Sequence, residues 1–368
     1  MKRSPEIASL IPSVFSQLVE SKGADFIRHA GEDAVRDVVL DVLCGVNLRA
    51  STEALTRQRI GKLNAATFLL FLHGIRTAED FTRRLPELAA NRLAQRVCKS
   101  EKWLCQWVLG LTDKGFQNIL RDESREIGRY AQGFADSMRT LADESRRAHG
   151  DLSCRVSVAD SGEVVLDWHD ILSLFCTIGS QTLAIRGSEK STYGKLFERL
   201  VLGSVLSVLD FELTSHPPHK LSGVFWLSSK LGEREADATV LVAPGKAVRF
   251  DLGFIGKGNP EITKDKVSRF ERDLEVGRRQ YESMTIIIVD RVGRSSALED
   301  QAKRAGAHVI QMSMNYWPKQ VAQVLGSRCS YEHRVARLPD NKIADYFRSK
   351  LRSVHLEDFV RGLRDSCG

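Results

Sequence analysis

The chain opens on a stretch in which apolar residues recur every three to four positions. IASLIPSVFSQLVESKG and EDAVRDVVLDVLCG carry this helical spacing, and the second closes on a glycine. ASTEALTRQRIGKLNAATFLLFLHG continues it, with a break expected near Gly61. TAEDFTRRLPELAANRLAQRVC reads as a helix capped by Thr77 and interrupted at Pro86. EKWLCQWVLGL is short and apolar. It sets Trp103 and Trp107 on one face, as expected of core residues. DKGFQNILRDESREIGRYAQGFADSMRTLADESRRAH is long and charged. Its Arg121, Arg125 and Arg129 interleave with Asp122, Glu123 and Glu126, the pattern of a solvated, salt-bridged helix.

After Gly150 the period shortens. LSCRVSVADSGEVVLDW predicts two short strands about an Asp160-Ser161-Gly162 turn. HDILSLFCTIGSQTLAI predicts an apolar helix leading into an extended piece. RGSEKS predicts a polar loop, and Ser191 the N-cap of the next helix, TYGKLFERLVLGSVLSVL. GVFWLSS, ADATVLVA and AVRFDLGFIG read as strands, the last two joined by a tight turn at Pro244-Gly245-Lys246. A helix starting at Thr263, the buried strand MTIIIVD, the helix SSALEDQAKRAGA, the strand HVIQMS and the helix PKQVAQVLGS follow. A polar helical tail begins near residue 331. This order predicts an α/β (α+β) protein. A helical domain over 1–150, for target recognition or dimerisation, is expected before a core over 151–330 with a mixed central sheet flanked by helices. A C-terminal helical extension over 331–368 completes the chain.

Composition narrows the function. The formal net charge of +7 suits a polyanionic partner without requiring one. Seven cysteines, an odd number with no C-x-x-C pair, read as free thiols of a reducing compartment, and the histidines form no zinc pattern. No apolar run reaches the roughly 18 residues of a membrane span, and the first residues show no clear cleavage site. A soluble, cytoplasmic protein with no membrane partner is expected.

The chemistry concentrates between Ser191 and Asp290. Asp237 opens one strand and Asp251 lies within the next, symmetric about Pro244, so the hairpin can bring the two carboxylates together. Glu198 sits on the preceding helix among apolar neighbours such as Val201 and Leu202, where a carboxylate is costly to bury unless it is paired or ligating. Hard divalent cations such as Mg2+ take oxygen ligands of this kind, and phosphodiester hydrolysis needs such a cation to activate water and offset phosphate charge. Arg186, Lys190 and Lys195 flank the site on one side and Lys257, Lys264, Lys266 and Arg269 on the other, where they could neutralise DNA phosphates. Gln181 and Thr182 could read base edges.

The order helix, three strands, helix, strand with these three acids resembles the PD-(D/E)XK nuclease superfamily, the fold of most type II restriction endonucleases. The resemblance covers roughly Ser191 to Asp290. Glu198 matches the family's helix Glu, Asp237 its first Asp (with Ala236 in place of the proline) and Asp251 its second acid. The family lysine, two residues on, falls at Gly253. Lys257 shares the strand parity of Asp251 and is assigned the lysine's role of polarising water or steadying the phosphate, with Lys264 and Lys266 as alternatives. IGSQTLAIRGSEKSTYGKLFE and RFDLGFIGKGNPEI look like the CfrBI-like type II restriction enzymes. The resemblance implies Mg2+-dependent, sequence-specific cleavage of double-stranded DNA by a homodimer matching a palindromic site.

Two other readings stand beside it. A DNA-binding protein that keeps the nuclease fold with a decayed site is kept open by Gly253. The glycines at 253, 256 and 258 after a strand invite an S-adenosylmethionine-dependent methyltransferase. Their spacing is one residue too loose, and the preceding hairpin opposes a parallel nucleotide-binding start.

Overall fold

A computed structural model describes residues 23–78, 80–119, 126–158, 162–215, 218–228, 236–254, 282–290, 306–313 and 316–360. The helices expected from Thr263 and over SSALEDQAKRAGA lie outside the described residues. The described residues pack as two compact units, one within 56–189 and the other within 23–55 and 190–360.

The first unit is mostly helical. It takes most of α3 (Leu48–Thr77), then α4 (Phe81–Leu93), α5 (Lys99–Val108), α6 (Asp113–Ile119) and α7 (Glu126–His149), and the hairpin of β1 (Cys154–Val158) and β2 (Gly162–Leu166). The first half of α8 (Trp168–Val208) completes it. Its core gathers Leu63, Leu70, Phe71, Phe81, Trp107, Leu174 and Ile185. Trp107 is buried, with Trp103 packed at 5.6 Å between ring centroids.

Several boundaries differ from those expected. The helix α3 runs through Gly61 without a break, because helical backbone suits that glycine and a Cβ there would meet nothing. Thr77 ends α3 and caps nothing. Its hydroxyl donates back to the carbonyls of His73 and Gly74, a bond that competes with capping. The helix α4 continues through Pro86 and forgoes the amide bond that residue would have donated. The expected extended piece, the loop RGSEKS and the cap at Ser191 are all helix, since α8 is continuous from Trp168 to Val208. No proline interrupts the stretch, and Glu, Lys and Arg are good helix formers that offset two glycines. The true start of α8 is a reciprocal cap. The Asp170 amide donates to Asp167 Oδ1 and the Asp167 amide to Asp170 Oδ2, both at 3.0 Å. Thr82 donates to Asp170 at 2.5 Å and Arg83 to Asp167 at 2.7 Å, which ties α4 to that start.

The second unit is built on a six-stranded sheet of order β3-β4-β5-β6-β7-β8, comprising Glu212–Leu213, Val224–Leu227, Ala238–Ala243, Lys246–Gly253, Glu282–Val289 and Ala307–Gln311. β4, β5 and β6 are antiparallel neighbours, while β6, β7 and β8 run parallel, which gives the mixed sheet expected from the sequence. One sheet face, carrying Phe225, Val240, Val248, Phe250, Leu252, Ile286 and Ile288, packs on the second half of α8 through Phe197, Leu200, Val201 and Val205. The helices α1 (Ala24–Ala30), α2 (Glu32–Leu43), α9 (Trp317–Cys329) and α10 (Asp340–Leu351) join the same core. The tail is therefore more than a polar extension. Ile343, Phe347 and Leu351, at helical spacing, are fully buried, as are Leu356 and Phe359 of the following 3-10 turn to within 3%.

Candidate active site

The hairpin of β5 and β6 turns at Pro244-Gly245, where Gly245 takes a φ of 75° that a side chain would resist. Its ladder runs to the pair Ala238↔Phe250, so one step further Asp237 faces Asp251. Phe250 and Leu252 point into the core beneath α8. By alternation Asp251 and Asp237 project from the other face of the sheet, and both are half-buried. The Leu252 amide donates to Asp237 Oδ2 at 2.8 Å, which fixes the first carboxylate against the strand of the second. The Ser228 amide donates to the Asp237 carbonyl at 3.1 Å, so the start of β5 is also tied to the end of β4.

The third acid stands differently. Glu198 is half-buried on α8, the helix that covers the opposite face of the sheet. Among the described residues no group of three His, Cys, Asp or Glu is close enough to hold a metal ion together. The structure thus brings Asp237 and Asp251 together and does not add Glu198 to them. What α8 does send toward the pair is Arg199. Its Nε donates to the Phe359 carbonyl at 2.8 Å and its Nη1 to the Ser228 carbonyl. Burial lowers the affinity of this guanidinium for its proton, and the nearby Asp237 carboxylate opposes that effect.

Sequence reasoning passed over Arg199, although a Glu-Arg pair inside the apolar run LFERLVLG was the available signal. It also gave Asp290 no role. That carboxylate is 9% exposed at the end of β7 and accepts from Asn47 Nδ2 at 2.6 Å. Asn47 in turn accepts from the Arg49 amide at 3.0 Å and caps α3. Ser313 donates to the Asp290 carbonyl through both its amide, at 2.9 Å, and its hydroxyl, at 2.5 Å.

Of the basic candidates, Arg186 and Lys195 are exposed on α8. Lys257, Lys264, Lys266, Arg269 and the side chain of Lys190 lie outside the described residues, as do Arg121 and Arg125. Arg129 pairs with Glu126 at 2.9 Å, as expected of a solvated helix. Gln181 is not placed to read bases. It is fully buried, accepts from Thr67 at 2.7 Å and donates to Asn64 at 2.7 Å, bridging α3 and α8 because a buried amide needs partners for both its ends.

Comparisons with known proteins bear on the chain as a whole. The model of the CfrBI restriction endonuclease family matches residues 32–297, most of the chain and all of the hairpin. The chain belongs to that family. It is also 34% identical over 354 residues to the type II restriction enzyme CfrBI of Citrobacter freundii, covering 95% of this chain and 97% of that enzyme. No solved structure matches it. The family extends over both compact units, and the mixed sheet with its helices is consistent with a PD-(D/E)XK-like core. No helix among the described residues is long and apolar enough to cross a membrane.

Proposed function

We propose that this chain is a type II restriction endonuclease, a site-specific deoxyribonuclease that hydrolyses phosphodiester bonds of double-stranded DNA with Mg2+ in the cytoplasm. The observation that carries the reading is the placement of Asp237 opposite Asp251 on one sheet face, in a chain 34% identical to an enzyme of that name. Two carboxylates offer the hard oxygen donors that Mg2+ takes, with water filling its other positions. Asp237 and Asp251 would hold the ion, which when bound supplies Lewis acidity and a water of lowered pKa.

The remaining roles belong to the chain itself. The Leu252 amide and Ser228 orient Asp237, and Arg199 offsets part of the charge that two close carboxylates place on the hairpin. Glu198 assists through water from α8, because it forms no direct cluster with the pair. Lys257 steadies the phosphate, in place of the lysine that Gly253 lacks. Arg186, Lys190, Lys195, Lys264, Lys266 and Arg269 bind the DNA backbone. The N-terminal helices over 1–150 serve recognition or dimerisation, and two copies cut the two strands of a palindromic site.

Incubation with phage or plasmid DNA, with and without Mg2+, tests this beside Asp251→Ala. Discrete fragments that need Mg2+ and vanish in the variant are expected. A wild-type protein that cuts none of several unmethylated DNAs, yet binds them, would overturn the reading in favour of a binding protein with a decayed site. That rival is kept by Gly253 alone.

A further inference from the structure

On the sheet face that carries Asp237 and Asp251, the neighbouring row of side chains is also polar. The register sets Trp226 beside Thr239, Thr239 beside Arg249 and Arg249 beside Thr285, across β4, β5, β6 and β7. Two residues, roughly 7 Å, separate Arg249 from Asp251 along β6, so alternation puts both on one face. On that face Asp237 is a diagonal neighbour of Arg249, within reach of a long side chain. Burial follows the alternation. Val248, Phe250 and Leu252 are buried, while Arg249 and Asp251 are only half-buried, as are Trp226, Thr239 and Asp237. The carboxylate pair thus continues into a partly open polar strip.

The charge on this strip is sparse and specific. Among the described strand residues of the six-stranded sheet, lysine and arginine occur only at Lys246, beside the hairpin turn, and at Arg249. Gly253, two residues beyond Asp251, presents no side chain. Arg249 stands equally far from Asp251 in the other direction, and its planar fork of N–H donors matches the oxygens of a phosphate. Asp237 does not need it as a holder, since the Leu252 amide fixes that carboxylate and the Arg199 charge lies near it. Beside Arg249 stands a second donor. Thr285 is 1% exposed, and its Oγ1 finds no hydrogen-bond partner among the described residues. A hydroxyl buried in that state costs stability, and an acceptor at its side would return it. A phosphate oxygen held by Arg249 is such an acceptor.

We infer that Arg249, with the Thr285 hydroxyl at its side, binds a phosphate of the DNA strand that lies over the carboxylate pair. The inference rests on the site of the nuclease reading above and adds a phosphate-binding residue to it. It is read from DNA affinity and not from cleavage, so the two can fail separately.

Fluorescence anisotropy of the full chain over a range of salt concentrations tests it. The probe is a labelled duplex spanning a site that the wild type cuts or, if it cuts none, a duplex of mixed sequence. Ca2+ replaces Mg2+, and a gel checks that the probe stays whole. Arg249→Gln should weaken binding about 10-fold at about 0.1 M salt and make the slope of log affinity against log salt shallower by about 0.9, the share of one phosphate. Arg249→Lys keeps the charge and should keep the slope. Arg337→Gln removes the same charge from an exposed arginine of the tail and should leave the slope as it is. Thr285→Val should act in two opposite ways. It should raise the denaturant midpoint, by removing a buried hydroxyl, and weaken binding about 3-fold. An Arg249→Gln protein with the wild-type slope overturns the inference whatever its stability, because the arginine then only offsets the carboxylates. So does an equal change of slope in Arg337→Gln, which would make it an effect of net charge. If Arg249→Gln does not fold, Thr285→Val decides alone, and unweakened binding overturns the inference. A wild type that cuts nothing while these shifts appear would sink the nuclease reading and leave the phosphate contact standing.

Discussion

The residues that set the site fall into two kinds, those that carry charge to the hairpin and those that hold it still. Arg199 does both. Its planar fork reaches two main-chain carbonyls, Ser228 at the end of β4 and Phe359 in the tail, while its charge lies near Asp237. Arg199→Ala leaves both carbonyls short of a donor and should cost about 2–4 kcal/mol in denaturant unfolding. Arg199→Lys keeps the charge but cannot bridge the two. It should lower the cleavage rate by about 10-fold while leaving more of the stability intact. An Arg199→Lys protein that cuts like wild type would show that the fork is dispensable. Partly buried histidines, His169 and His333 among them, give the fold a pH dependence. Burial holds His169 and His333 below their usual 6.5, with Arg83 and Arg139 acting in the same direction on the first, and Arg334 and Lys350 on the second. Asp167 and Asp170 oppose this at His169, and Asp210, 3.0 Å away, opposes it at His333. As pH falls below 6.5 the unfolded chain takes up protons that these buried rings resist. Stability is therefore full above that value and declines below it. The thermal midpoint should drop between pH 7.5 and pH 5.5, and His333→Gln should shrink the drop; a midpoint that rises on acidification would contradict burial as the cause.

Among the elements, two helical glycines that look alike in sequence should respond in opposite ways to a methyl group. Gly61 in α3 has open space around its missing Cβ, so Gly61→Ala should stabilise by about 0.5–1 kcal/mol in denaturant unfolding. Gly203 in α8 has the Phe359 ring at 2.5 Å from where a Cβ would stand. Gly203→Ala must displace that ring and should destabilise by about 1–3 kcal/mol, unless Phe359 is made smaller as well. A loss at Gly61 would mean that α3 is not the continuous helix described. The same pair shows which elements the sequence made readable. β5 and β6 stood out because apolar alternation flanks a Pro-Gly turn, and that alternation also set Asp237 and Asp251 on one face. The single helix α8 did not, because Gly-Ser-Glu-Lys-Ser is compatible with both loop and helix, and the choice lies in packing on either side. The position of Glu198 relative to the pair was not readable for a related reason. Its place on the helix was correct, but which sheet face that helix covers depends on partners far away in the chain. The tail hid its burial behind charges, although Ile343, Phe347 and Leu351 keep a strict four-residue spacing.

For the molecule as a whole, the site is singular while the substrate has two strands. If the Asp237 and Asp251 pair is the site proposed above, one hairpin addresses one phosphodiester at a time. A monomer would therefore nick, release or reorient, and cut again, whereas two associated copies would present two sites at once. A mixing experiment separates these without structural information. Wild type and Asp251→Asn, combined in equal amounts and left to exchange, should give roughly half mixed dimers if exchange is random. Each mixed dimer has one working site, so a supercoiled plasmid with a single target should accumulate as open circle. Wild type alone should pass to linear DNA with little open circle. If single copies act alone, dilution with Asp251→Asn only slows the reaction, and the proportion of open circle at a given extent stays that of wild type. That second outcome would detach cleavage from a two-copy assembly. The first would tie the cutting of both strands to a two-copy assembly.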